Sequence, residues 1–201
     1  MTPIKTVCSL LGCLLVLVSI ATAQEKPAAR EKSQAAAADR AAQKLAHLQR
    51  NGMLQKPDQI PTVLGDEELN AYFAEGRVKL PAGVRKLRYQ TQPGVITANT
   101  EVDFDKIREG QKSSNPLLSI FSGVHDVQIV AHAEGSGGTG RVHIESMAID
   151  DVNVPRFALE LFVDKFIRPK YPQAGLDSQF KMPARVDLAV VGEKKITLTQ
   201  K

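Results

Sequence analysis

The chain has 201 residues, with 26 Lys and Arg against 22 Asp and Glu and a formal charge of +4. Residues 24–58 hold seven basic side chains against four acidic ones, residues 59–201 hold eighteen of each, and there is no Trp. No basic face with stacking aromatics is therefore expected, which argues against nucleic acid as a partner.

Residues 1–23 have the parts of a secretory signal: Lys5, an apolar run over 8–20, and Ala21-Thr22-Ala23 as the cleavage site. The apolar run is short for a membrane span, which needs about 20 residues. Leu10-Leu11-Gly12-Cys13 also matches a lipoprotein cleavage box. The run continues well past Cys13, so cleavage after Ala23 is the expectation and acylation at Cys13 the alternative. Either route places the protein outside the cytoplasm, in the periplasm or cell envelope. Cys8 and Cys13 both belong to this segment, so the mature chain is expected to have no disulfide, thiol nucleophile or thiolate metal site.

Residues 24–58 are expected to form an Ala-rich polar leader, helical or disordered. Strong helix formers fill 28–50 and Asn51-Gly52 supplies a stop. Leu45 and Leu48 are its only large apolar residues, so the helix has little to bury and reads as a solvated leader or a stalk. A single α+β domain is expected over 59–201. It opens with a short helix at 66–74, acidic in its first turn and apolar at Leu69, Tyr72 and Phe73.

From Val84 the period changes to two. Strands at 84–89 and 95–104 flank Gln92-Pro93-Gly94, with Ile96, Ala98, Thr100, Val102 and Phe104 on one face. An apolar patch at 115–123 includes Leu117 and Phe121. A second hairpin turns at the Gly-rich stretch 135–140. Symmetric pairing about that turn sets His132 opposite His143 and Glu134 opposite Arg141, with Glu145 on the same face. The segment 154–168 predicts a long helix, with Pro155 at its first position and Arg156, Glu160, Asp164 and Arg168 as its one polar stripe. Strands at 184–191 and 195–199 close the chain. The elements describe a curved antiparallel sheet of hairpins packed against one long apolar helix.

Chemistry-bearing motifs are lacking. There is no Gly-x-Ser-x-Gly elbow, and the glycines at 135–140 lack the trailing Lys-Ser/Thr of a phosphate loop. Glu67-Glu68 and Asp150-Asp151 are adjacent pairs that do not converge on one atom. His132, His143 and Glu145 could form a loose metal site, but exposed sheet faces collect such residues without a role, so no metal or cofactor is assigned. The expectation is a non-enzyme with more apolar surface than one side of the sheet obviously covers. A groove for an apolar ligand accounts for that, and so does a well-filled core.

The stretch 66–73, Asp-Glu-Glu-Leu-Asn-Ala-Tyr-Phe, followed by the alternation Val95-Ile96-Thr97-Ala98, resembles the opening of the LmeA-like and YceB-like bacterial envelope proteins, whose architecture is related to the tubular lipid-binding (TULIP) fold. The resemblance follows the order of elements over 62–201. It implies an exported, non-catalytic protein that binds a lipid or other apolar molecule and associates with a membrane surface. It also implies an apolar groove lined by Leu69, Phe73, Phe157, Leu161, Phe162 and Phe166, which Leu117 and Phe121 of the neighbouring patch are expected to join. The alternative is a structural or protein-interaction module with a filled core and no ligand, its protein partner unspecified.

Overall fold

Period-two alternation carries nine strands of the described residues into one antiparallel sheet. The computed structural model describes residues 27–108, 116 and 119–201. The expected signal segment, Cys13 and Leu117 lie outside them. In chain order the elements are α1 (Pro27–Gly52), β1 (Thr62–Gly65), α2 (Asp66–Ala74), β2 (Val84–Gln92), β3 (Val95–Asp103) and α3 (Phe104–Arg108). There follow β4 (Val124–Ser136), β5 (Thr139–Ile149), β6 (Val152–Asn153), α4 (Arg156–Phe162) with a π-helical turn (Val163–Ile167), β7 (Asp177–Lys181), β8 (Val186–Gly192) and β9 (Lys195–Gln200).

Strand β4 is the spine. One side pairs with β5 from Val127↔Ile149 to Ser136↔Thr139. Its other side pairs first with β3, from Asp103↔Val124 to Val95↔His132, and then with β8 at Gly135↔Ala189. Beyond β4 the sheet thus forks into an arm of β3 and β2 and an arm of β8, β9 and β1. The arms touch at their turns, where the Gly94 N–H donates to Val191 O and the Lys194 N–H to Thr91 O, both at 3.0 Å. The α+β class and the large antiparallel sheet are as expected.

The main core lies between α4 and the β3–β4–β5 face. Phe104, Phe121, Phe162 and Phe166 interlock there, with centroids 5.5 Å apart for Phe104–Phe121, 4.3 Å for the stacked Phe121–Phe162 and 5.3 Å for Phe162–Phe166. Val102, Val127, Ile149, Ala158, Leu159 and Leu176 complete the cluster. The helix expected over 154–168 spans Arg156–Ile167 but is not α-helical throughout. Seven residues are α-helical, then the backbone widens so that the Arg168 N–H reaches back five residues to Val163 O at 2.9 Å. One sheet face covers only part of its apolar arc. Leu159, Phe162 and Phe166 turn inward, whereas Phe157 is 54 % and Leu161 38 % exposed.

A second correction concerns α1, which is packed against the rest of the chain rather than standing off as a solvated leader. Its inward stripe is Ala38, Ala41, Leu45, Leu48 and Gly52, alternating steps of three and four residues, with Ala37 beside it. Ala37 and Ala38 pack on Ala71 of α2. Small side chains bury little area each, but they let two helix backbones approach closely. Lys44 and Arg40 bond Glu68 at 2.6 and 3.2 Å. Burial works against ionisation of Glu68, yet the Lys44 ammonium and the Gly65 N–H outweigh it and hold the carboxyl below its ordinary range.

The end of α1 is locked to the end of the chain. Asn51 and Gln200 are 4 % and 3 % exposed, and Asn51 Nδ2 donates to Gln200 Oε1 at 2.8 Å. Gln200 Nε2 donates in turn to Leu48 O at 2.8 Å and to Ala184 O. Arg185 Nη1 reaches Leu54 O and Gln55 O at 2.9 and 3.1 Å.

Candidate functional site

Strand β2 is an edge. Among the described residues it pairs with β3 alone, and an edge strand leaves every second residue's N–H and C=O pointing outward. Two of these outward rungs are satisfied by side chains from α2. Asn70 behaves like one residue of a missing neighbour strand, its Oδ1 accepting from the Tyr89 N–H at 2.6 Å and its Nδ2 donating to Tyr89 O at 2.8 Å. One helical turn earlier, Asp66 accepts from the Thr91 N–H and the Thr91 hydroxyl, each at 2.7 Å. The spacing of four residues puts both side chains on one helix face.

Among the described residues no side chain bonds the next outward rung, at Leu87. By the alternation of the Tyr89↔Ala98 and Leu87↔Thr100 pairs, the Leu87 N–H and C=O share the outward direction of Tyr89. They face a trench of about 840 Å³ between α1 and α2 on one bank and β2 on the other. Ala37, Ala71, Phe73, Ala74 and Leu87 contribute apolar wall, while Arg30 and Arg88 stand at its rim. Phe73 lies edge-to-face on Tyr89 at 5.4 Å, and burial pushes the Tyr89 phenol up.

Charges at the far end are mostly spent on one another. Lys86 Nζ bonds Glu101 at 2.9 Å, and that hydrogen bond holds the Glu101 carboxyl below its ordinary range. Arg85 Nη2 bonds Asp103 at 2.9 Å. Burial would raise the Asp103 carboxyl, but the Lys106 N–H and Arg85 together hold it down. Arg30 and Arg88, by contrast, make no ion pair among the described residues.

The residues expected to line a common groove are dispersed. Phe121, Phe162 and Phe166 fill the main core, with Phe121 fully buried. Phe157 and Leu161 face solvent. Leu69 and Phe73 sit on α2, and only Phe73 lines the trench. Asn70, Leu87 and Arg88 were not singled out from the sequence as site residues. The signal for Asn70 was present in Asp66-x-x-x-Asn70, a polar pair at helical spacing beside a strand in need of partners.

The outer face of β4 and β5 carries the second notable cluster. The register sets His132 opposite His143 and Glu134 opposite Arg141, as expected. His132 Nε2 meets Glu145 Oε2 at 3.0 Å, His143 Nδ1 pairs with Asp177, and a cavity of about 440 Å³ opens beside the two rings. Among the described residues no group of three or more His, Cys, Asp or Glu converges on one point.

A third histidine works as a latch. His125 Nδ1 bonds Asp150 Oδ2 at 2.5 Å and Nε2 bonds the Ser122 carbonyl at 2.7 Å, so both nitrogens act as donors when the ring is protonated. The Asp150 hydrogen bond leads the causes that raise the His125 pKa, and it also lowers that of Asp150. The Ser122 hydroxyl donates to Ser119 O at 2.7 Å instead of to the imidazole, so this Asp–His–Ser sequence activates no nucleophile.

Among the described residues no helix is long and apolar enough to cross a membrane. No family model, no curated protein and no solved structure matches this chain.

Proposed function

We propose that this protein is an exported, non-catalytic module of the cell envelope that holds an extended polypeptide segment in the trench along β2. The observation that carries the reading is the uncovered rung at Leu87, an unpaired strand edge opening into a cavity walled by two helices. A partner strand there gains two backbone hydrogen bonds, worth about 1 kcal/mol each after exchange with water. The remainder comes from Phe73, Leu87 and the alanine wall, with Arg30 and Arg88 available to acidic side chains. Addition of a strand at an edge, with side chains read by flanking pockets, is a general mode of peptide recognition. Export rests on the signal-like segment 1–23.

Photo-crosslinking residues introduced at Ser33, Arg88 and Thr197 in cells test it. Protein adducts are expected from Ser33 and Arg88, on the two banks of the trench, and not from Thr197 on the other arm. Equal adducts from all three, or none from the first two, refute the proposal.

A second reading, a lipid or other apolar ligand in the same trench, is favoured by the continuous wall of Ala37, Ala71, Phe73, Ala74 and Leu87. Detergent-free native mass spectrometry separates the two. Lipid at near-stoichiometric occupancy assigns the trench to an amphiphile and retains the expected association with a membrane surface.

A further inference from the structure

We propose that His132 and His143 form an exchangeable binding site for one divalent transition-metal ion of the zinc, copper or nickel class on the outer face of β4 and β5. The two residues are register partners on adjacent strands, with ring centroids 6.3 Å apart and planes 30° from parallel. An ion about 2.0–2.1 Å from a ring nitrogen lies roughly 3.2 Å from that ring's centre. Two rings at this separation reach one ion when both free nitrogens are turned along the line between the ring centres. Both side chains are about half exposed, which leaves the rings room to turn their free nitrogens toward a common ion.

Each imidazole already has the support that ligating histidines use. A carboxylate on one ring nitrogen fixes orientation and leaves the other nitrogen for metal. Glu145 occupies His132 Nε2 and leaves Nδ1. Asp177 occupies His143 Nδ1 and leaves Nε2, and Asp177 is itself held by Arg156 Nη2 at 2.9 Å. Neither remaining nitrogen has a partner among the described residues. Glu134, Glu145 and Asp177 set three negative charges against Arg141 and Arg156, a local balance that favours a cation. Imidazole donors select zinc, copper and nickel over magnesium or calcium. With two protein ligands, water completes the coordination, and the ion exchanges rather than staples the fold.

The test is calorimetric titration of the exported, tag-free protein with zinc chloride in a non-coordinating buffer, with magnesium chloride as the comparison. One saturable zinc equivalent is expected, with no comparable magnesium binding. His132→Ala and His143→Ala should each weaken zinc by at least about tenfold, and Glu145→Gln should weaken it by roughly tenfold through ring orientation. All three side chains are exposed, and unchanged circular dichroism confirms that the variants fold. Absence of saturable zinc binding, equal magnesium binding, or an unaltered isotherm in the His132→Ala/His143→Ala double variant overturns the proposal.

Discussion

Replacing Gly52 by valine distinguishes a docked α1 from a free one by the sign of the stability change. At the end of an undocked helix, valine improves on glycine by roughly 0.3 kcal/mol in helix propensity, so the variant would be neutral or slightly more stable. In the docked helix, a Cβ at position 52 comes within 2.7 Å of Ala184 C and 2.9 Å of Ala184 Cα. These are backbone atoms, and they have little room to retreat. Ala184 and Arg185 already occupy the left-handed region at φ 52° and 57°, and Ala184 O accepts from Gln200. Overpacking of this kind costs about 1–3 kcal/mol, and valine adds two γ-methyls beyond the Cβ that already clashes. A net loss of about 2–3 kcal/mol corresponds to a fall in Tm of roughly 4–12 °C for a domain of this size. Thermal melts of the purified protein followed by circular dichroism read it directly. A Tm equal to or above that of the parent chain refutes the docking of α1.

Two further outcomes follow from burial and from ionisation. Phe121→Ala should lose about 3–5 kcal/mol in urea unfolding because Phe104 and Phe162 cannot collapse into the space, whereas Phe157→Ala should lose less than about 1 kcal/mol. Comparable losses would show that the two phenylalanines have been assigned to the wrong environments. The His125–Asp150 latch makes stability depend on pH in a defined direction. His125 has a raised folded pKa, so its contribution is complete below the unfolded value of 6.5 and fades as pH rises through the folded one. Asp150 has a lowered one, so its contribution is present above its unfolded value of 3.8 and disappears as pH falls through the folded value. Melts across this range should show His125→Gln narrowing the gap in Tm between mildly acid and mildly alkaline buffer, and an unchanged gap would remove the latch.

Local pattern made the hairpins legible. Gly135 to Gly140 marked the turn between β4 and β5, and symmetric pairing about it was enough to set His132 against His143. The start of α2 was equally plain from Asp66-Glu67-Glu68. What the sequence hid was long-range. Alanine methyls register weakly as an apolar stripe, so Ala38 and Ala41 looked like filler in a solvated helix. Their anchor, Gln200, lies 149 residues beyond Asn51. The helix at 154–168 misled for the opposite reason, since its apolar arc is wider than any single contact surface. Which strand forms an edge depends on sheet order, and no local period reveals that β2 lacks a second neighbour. The trench was therefore invisible, although Phe73 was picked out for its apolar helix face.

The docking of α1 and the trench are two consequences of one packing choice. Arg30, Ser33, Gln34 and Ala37 form the far bank of the trench, and all four belong to the helix whose other end is fixed by Asn51, Gly52 and Gln200. A helix anchored at its C-terminal end and at the Ala37–Ala71 contact holds its bank at a set distance from β2, so on the proposed reading the trench is shaped before a ligand arrives. The same geometry explains why α2 spends Asp66 and Asn70 on the strand edge. These two side chains close the rungs at Thr91 and Tyr89 and leave the Leu87 rung open, which on the proposed reading confines strand addition to one short stretch. A loosened α1 should therefore weaken ligand capture at Arg88 before it unfolds the β4–β5 spine, because the bank depends on the Gly52 anchor and the spine does not.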